Sequence, residues 1–285
     1  MDYGLSKLKN MEKYRTYLIN KRLSNATIQQ YCQFADDLLA YLACPASEIV
    51  QADLLSYVQW LQRRGLHKKT INVQLGSFRH YFAYCMQSGT RADNPAQHLY
   101  IRGTSRTSPY YWLAFEELEE VFERYQAAYP SELKLQVLWS LLLFQAMTVS
   151  ELRLLEVGHI DLKKGKIAVP AASKSNARTL SLDLRQMLLL VQFLSDKQGK
   201  LFDYSYSKGV SNQVNRLMKQ LKTLHPGIIN SKQIRGSVIA HWLRSEDLRI
   251  VQYKAGHRYV SSTERYQVAH LEELQAEISQ IHPLN

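Results

Sequence analysis

Cysteine is scarce in this 285-residue chain: Cys32, Cys44 and Cys85 are the only three, and all lie in its first third. An odd, widely spaced set excludes a disulfide scaffold, lacks the spacing of a zinc site, and fits a reducing compartment. Long apolar runs are also missing. The longest, near Val137–Phe144, is far too short to cross a bilayer, so no membrane partner is expected. No signal peptide opens the chain, and a cytoplasmic protein is expected. Internal repeats and low-complexity tracts are absent too, which leaves out solenoids and disordered tails. Apolar residues make up 46% of the sequence, an ordinary share that argues against disorder.

What the chain has is positive charge. Lys and Arg number 36 against 25 Asp and Glu, a net charge of +11, which suits a polyanionic partner. The charge is denser at the start. Residues 1–106 carry 14 basic and 7 acidic side chains, and the remainder carries 22 and 18. The length fits two modest domains or one large one.

Periodicity divides the chain. Residues 1–96 read as four short helices. One lies near Glu12–Asn20 and a second starts at Ser24–Asn25, with Ile28, Tyr31, Ala35, Leu38, Leu39 and Leu42 as its stripe and Pro45 as its stop. A third covers Gln51–Arg64, burying Leu54, Leu55 and Val58. The fourth runs over Lys68–Gln87, with Ile71, Leu75, Phe78, Phe82 and Cys85 inward. Asn94–Pro95 closes the bundle. Residues 97–110 read as a basic linker, suited to a phosphate backbone or simply to water. Residues 111–285 begin with helices at Phe115–Tyr129 and Glu132–Thr148. The period then changes to that of a small sheet, with strands at Ile160–Asp161, Ile167–Val169 and Arg178–Leu182 and a tip at Ala171–Ala177. Helical patterns resume at Leu184–Ser195, Val210–Lys219, Lys232–Ser245, Leu248–Ala255 and Thr263–Ile278. A mainly α bundle followed by an α+β domain with a small antiparallel sheet is the expected fold class.

Four groups near the end of the chain can work on a phosphodiester. Lys232 and Arg235 stand three apart near the start of one helix, where free N–H groups already favour anions. The plain alternative is a solvated basic face. His257 follows Gly256, which can cap a helix in the left-handed region and fix the histidine on a corner. A lone histidine is otherwise more often structural. Tyr266 offers a phenol that becomes a nucleophile when its proton is removed or cations favour the phenolate, although one tyrosine among 18 is more often core. Lys174, on the strand tip, can reach a leaving oxygen and protonate it, or serve only as a solvated turn residue. Arg178 and Lys163 look less attractive because they flank strands.

The order of these residues resembles the tyrosine recombinase, or phage integrase, family. Its His-x-x-Arg box is similar to Lys232–Arg235, with lysine at the first position. Its Leu-Gly-His box matches Ala255–Gly256–His257, and its nucleophile falls nine residues beyond that histidine, at Tyr266. Lys174 resembles the family's hairpin lysine. The first box, Thr-Gly-x-Arg-x-x-Glu-Leu, appears as Gln145 through Leu152, followed by Leu155 and Ile160–Asp161. Its frame survives, but Thr148 stands where the arginine belongs. The resemblance covers roughly residues 8–280.

The resemblance implies the DNA breaking-rejoining fold, with a helical core-binding domain over residues 1–96 and a catalytic domain with a tail helix over residues 111–285. It implies a site-specific recombinase in which Tyr266 forms a 3′-phosphotyrosyl link, Arg235 and Lys232 hold the phosphate, His257 assists and Lys174 protonates the leaving 5′-oxygen. No cofactor, neither ATP nor metal, is required. The implied partner is double-stranded DNA, gripped by four protomers on two sites, with the protein a monomer or dimer off DNA, in a cytoplasmic, nucleoid-associated setting of bacterial or phage type. The tail around Leu271–Ile281 would dock on a neighbour, although its apolar side, Leu271, Leu274 and Ile278, equally suits packing against its own domain. Arg63, Arg64, Lys68, Lys69, Arg79, Arg102 and Arg106 are the candidate DNA contacts. The missing guanidinium leaves either much reduced activity or a substitute cation, with Arg153 and Arg258 nearest in sequence. The competing readings are a catalytically silent DNA-binding accessory factor, a helical protein-interaction module with incidental charge, and a relaxing enzyme of the type IB topoisomerase kind.

Overall fold

The computed structural model describes residues 2–103, 111–195, 197–202 and 209–266, with side chains from residue 10 onward. The chain divides into two compact units, Met1–Ser105 and Arg106–Asn285.

The first unit holds helices α1 (Asp2–Asn20), α2 (Asn25–Leu42), α3 (Gln51–Arg63) and α4 (Lys68–Gln87). Helix α2 starts where Ser24 accepts a hydrogen bond from the Thr27 N–H at 3.3 Å, satisfying one of the free donors of the first turn. It ends at Leu42, before Pro45, because Ala43 turns into the left-handed region. The aromatic centre of the unit joins Tyr14 of α1 to Tyr81 and Tyr84 of α4, with ring centroids 5.2 and 5.5 Å apart. Such rings bury large apolar areas in preferred tilted geometries. All five expected inward residues of α4 are buried. Leu55 is not: it is 46% exposed, while Leu54, Tyr57, Val58 and Leu61 face the core. Position 55 lies about 100° around the helix from Leu54, and the Tyr57 ring fills the core in its stead.

The unit continues past the expected boundary at residue 96. Asn72 exchanges two hydrogen bonds with Ile101, of 2.9 and 2.8 Å, and Leu99 is buried. Arg79 donates to the Leu99 carbonyl at 2.9 Å, and Asn94 donates to the Arg79 carbonyl at 3.0 Å. The segment through Ile101 is therefore packed chain rather than linker. Arg106, a candidate DNA contact, lies outside the described residues.

The second unit contains α5 (Phe115–Ala128), α6 (Leu133–Phe144), α7 (Val149–Leu154), β1 (Ile160–Asp161), β2 (Lys166–Val169), β3 (Arg178–Ser181), α8 (Leu184–Leu194), α9 (Gly209–Leu224), α10 (Ser231–Ser245) and α11 (Leu248–Ala255). Helix α6 is its axis. Every residue from Leu135 to Leu143 is buried, as expected of a helix that is apolar all round. The apolar run read from the sequence is this core helix. Among the described residues no helix is long and apolar enough to cross a membrane.

The expected helix Glu132–Thr148 is two helices. Helix α6 stops at Phe144, Ala146 adopts a left-handed φ of 47°, and Thr148 caps α7. The sheet is antiparallel in the order β1-β2-β3, with Ile167 opposite Leu180 and Val169 opposite Arg178. Residues 261–266 form a further helical turn. The remainder of the expected helix Thr263–Ile278, and the tail at Leu271–Ile281, lie outside the described residues.

Candidate active site

Helix α10 carries Arg235 and is fixed at its start. The Asn230 side chain accepts from the N–H groups of Lys232 and Gln233 at 3.0 and 3.1 Å. The Gln233 amide donates to the carbonyls of Tyr111 and Gly227, both at 3.0 Å, and accepts from the Ile229 N–H at 2.7 Å. One residue after Arg235, the Trp112 ring lies against Gly236 so closely that a Cβ there would fall 1.9 Å from it. Only glycine admits the ring at this position. Sequence reasoning misses Trp112; its one signal is the glycine inside an otherwise regular helix, which marks a close neighbour.

Arg235 is held at both ends of its fork. One Nη donates to the carbonyl of Ala146, and Nη2 donates to that of Ala255 at 2.6 Å. Burial pushes the guanidinium pKa down and Arg178 adds to this, while Glu151 and Tyr266 favour the charged form.

Helix α11 ends at Gly256, whose φ of 69° lies in the left-handed region that glycine adopts without a Cβ penalty. His257 follows. Its ring Nδ1 shares a 2.8 Å hydrogen bond with the Thr263 hydroxyl, and its backbone N–H donates to Gln252 at 3.0 Å. Burial pushes its pKa down to about 4, helped by Arg235, Arg178 and Arg265 and opposed by Glu151. The imidazole is therefore neutral near pH 7. The Tyr266 ring lies nearly parallel to it, with centroids 5.9 Å apart and planes 7° apart, and meets Trp112 on another side at 5.6 Å. Tyr266 is half-buried and not sealed in the interior.

Thr148 stands in the place of the missing arginine, and its polar atoms are all engaged locally. Its N–H and hydroxyl both donate to Glu151 Oε2, at 2.7 and 2.9 Å, and the hydroxyl accepts from the Glu151 N–H at 3.3 Å. This is a capping box. The other carboxylate oxygen of Glu151 accepts from Arg178 Nη1 at 2.5 Å, in a pair with no side-chain exposure on either partner. Burial pushes the Glu151 carboxyl up, but Arg178, the Thr148 backbone and Ser175 together hold it below the usual range.

Arg178, less attractive from the sequence because it flanks a strand, is buried beside these groups. Strand β3 alternates buried and exposed, and Arg178 takes the buried phase with Leu180. Its Nε donates to the Lys254 carbonyl at 2.7 Å, and a Cβ on Gly256 would lie 2.5 Å from its Nη1.

Arg235, His257 and Tyr266 thus come together, and Arg178 and Glu151 join them. Lys174 is exposed on the tip between β2 and β3. The tip itself is tied to the histidine corner, since Ser175 bridges to His257 and the Asn176 N–H donates to the Gly256 carbonyl at 2.9 Å. Lys232 is exposed on the first turn of α10. Arg153 points to α9, where it donates to the Ser211 hydroxyl at 2.5 Å, because its position on α7 faces that helix. Arg258 is exposed beyond the histidine corner. In the first unit Arg63, Arg64, Lys68, Lys69 and Arg102 are exposed, with Arg64 stacked over Trp60. Arg79 is half-buried and committed to the Leu99 carbonyl. Among the described residues, no group of three or more His, Cys, Asp or Glu side chains is placed to hold a metal ion.

Comparison with known proteins gives this geometry a family. Residues 111–273 match the phage integrase family, and residues 11–89 match the phage integrase N-terminal SAM-like domain. Tyrosine recombinase XerC of Bacillus subtilis (strain 168) is 26% identical, covering 92% of each chain. A lambda integrase (residues 75–356) dimer bound to a COC′ core site has the same fold at a TM-score of 0.69 and 11% identity, covering 90% of this chain and 94% of that one. The Tn1549 transposon integrase in complex with a circular intermediate DNA gives 0.68 and 16%, again covering 90% and 94%. With its own family model matched over more than half its length, the chain belongs to the phage integrase family of tyrosine recombinases.

Proposed function

We propose that this protein is a site-specific DNA recombinase that cuts and rejoins duplex DNA through a covalent link to Tyr266. The observation that carries the reading is the parallel approach of the Tyr266 and His257 rings, centroids 5.9 Å apart, within the field of Arg235 and inside a single chain. The relatives named as bound to core-site or circular-intermediate DNA support DNA as the substrate.

The chemistry follows from the groups present. The Tyr266 oxygen attacks the scissile phosphorus, forming a P–O bond, and the bond to the 5′-oxygen breaks. The phenolic proton leaves to a base. His257, neutral near pH 7 and held through Nδ1 by Thr263, is the proposed acceptor, through its other ring nitrogen. Lys174 donates a proton to the departing 5′-oxygen. Arg235 holds a non-bridging oxygen as charge builds on it, and Lys232 adds positive charge near the start of α10. A 5′-hydroxyl from a second strand reverses the steps and regenerates Tyr266. The number of phosphodiester-type bonds is unchanged throughout, so no ATP is consumed. The exposed basic residues Arg63, Arg64, Lys68, Lys69 and Arg102 are the proposed backbone contacts of the first unit, and strand exchange assigns four protomers to two sites.

A second reading has one observation in its favour: Thr148 replaces an arginine and its hydroxyl serves a helix cap. It describes a DNA-binding accessory factor without cleavage. A duplex carrying a nick or a 5′-bridging phosphorothiolate at the cleavage position separates the two. The recombinase accumulates a protein–DNA adduct that Tyr266→Phe abolishes with little change in affinity. Specific binding without an adduct supports the accessory factor.

A further inference from the structure

Removing one guanidinium from a site that stabilises a phosphate in transition leaves a deficit that a threonine hydroxyl cannot meet, and here that hydroxyl is already engaged with Glu151. Of the cations nearest in sequence, Arg153 is bonded away to Ser211 and Arg258 is exposed beyond the site. A different arginine enters the cluster from the sheet. Arg178 has no side-chain exposure, is paired with Glu151, and is fixed by Nε to the Lys254 carbonyl. That carbonyl immediately precedes the one that fixes Arg235 Nη2, at Ala255. The positive charge of Arg178 is felt by both Arg235 and His257.

The fork of Arg178 is not fully used. Nε and Nη1 have protein partners, whereas Nη2 is buried with no hydrogen-bond partner among the described residues. A charged donor left unpaired inside a protein is costly, and such groups in native structures call for an explanation. We infer that Arg178 is the second phosphate-binding guanidinium of this site, reached from strand β3 instead of helix α7, with its free Nη2 reserved for a non-bridging oxygen of the scissile phosphate. Glu151 and the Lys254 carbonyl orient the fork, and entry of the phosphate uncovers Nη2. The assignment rests on the recombinase reading for the identity of the phosphate, but its test does not depend on cleavage.

The probe is orthovanadate, which takes the pentavalent geometry of phosphoryl transfer, titrated into the full-length protein by calorimetry. Replacing Arg178 alone strands Glu151, so the informative variant is the double substitution Glu151→Gln with Arg178→Gln, checked for a native unfolding transition. The folded double variant is expected to bind vanadate about tenfold more weakly or worse, the scale of one lost charge-assisted hydrogen bond. Adding an arginine at the family's usual position, as Thr148→Arg with Arg178→Gln, is expected to recover most of that loss. Thr148→Arg alone is expected to gain nothing, because Arg178 already occupies Glu151. A folded double variant that binds vanadate like the parent, a parent that does not bind it, or a relocated arginine that rescues nothing would each overturn the assignment. Adduct formation on duplex DNA is scored separately. A parent that forms adducts while the folded double variant forms them equally well sinks the role of Arg178 and leaves the recombinase reading standing.

Discussion

Arg178 and Arg235, which come from a strand and a helix 57 residues apart in the chain, dock on successive carbonyls, Lys254 and Ala255, at the end of helix α11. Two guanidinium groups repel one another, and two features offset this. The end of a helix carries partial negative charge on its free carbonyls, and Glu151 neutralises one of the pair. The cluster keeps roughly one net positive charge, aimed where the phosphate of a DNA strand is proposed to sit.

The close approach of Arg178 depends on Gly256. Gly256→Ala forces an L side chain into a left-handed φ and drives its Cβ to 2.5 Å from Arg178 Nη1. Gly199→Ala shares the backbone penalty but meets nothing within 4 Å. Urea unfolding is expected to give about 1–3 kcal/mol of destabilisation for the backbone term alone, and a larger loss at Gly256 than at Gly199. Equal losses at the two positions would remove the steric link between Gly256 and Arg178.

Breaking the buried ion pair is expected to cost more. Glu151→Gln leaves Arg178 charged and unpaired, with a loss on the order of 3–5 kcal/mol at pH 7. The sign with pH follows from the depressed carboxyl. Its contribution is fully present above the unfolded carboxylate value of 4.5 and is lost as pH falls through the lower folded value. The gap between parent and variant is therefore expected to narrow as unfolding is measured at successively more acid pH. A gap independent of pH would mean that Glu151 is not the ionised partner.

His257 titrates from about 4 in the folded chain against 6.5 when unfolded. Between those values the unfolded chain binds more protons, so this residue lowers stability as pH falls from 6.5 towards 4 and has no such effect above 6.5. In a proton-carbon correlation spectrum of the DNA-free protein, the His257 ring signals are expected to stay at neutral shifts through pH 6. A midpoint near 6.5 would place the ring in water and away from Arg235.

Thr148 is assigned to the cap of α7. Thr148→Val is expected to lose about 1 kcal/mol of stability while still forming the Tyr266 adduct. A folded variant that lost adduct formation completely would put the hydroxyl on the phosphate instead.

Much of the fold is legible in the amino-acid sequence. The α4 face, the helix start at Ser24, the sheet strands and the corner at Gly256–His257 follow from periodicity and capping chemistry, because each depends on neighbours in sequence. The split between α6 and α7 has a local signal as well: Thr148 followed three residues later by Glu151 is a capping box, yet the apolar run ahead of it reads as one continuous helix. Arg178 carries a local sign also, since alternation in β3 puts it on the same face as Leu180, where a charge must have a partner. Its identity as the partner of Glu151 is not legible. That pairing is made across 27 residues by the way β3 passes α7, and spacing alone does not report it. Trp112 and its position between Gly236 and Tyr266 are likewise products of tertiary packing.

The central claim is that the phenol of Tyr266 becomes joined to DNA. Digesting the trapped complex with protease and nuclease and sequencing the nucleotide-bearing peptide by mass spectrometry tests it directly. The expected peptide carries its nucleotide through a 3′-phosphate on Tyr266. A modified peptide that contains another residue, or no modified peptide from a chain that binds the duplex specifically, would contradict the claim.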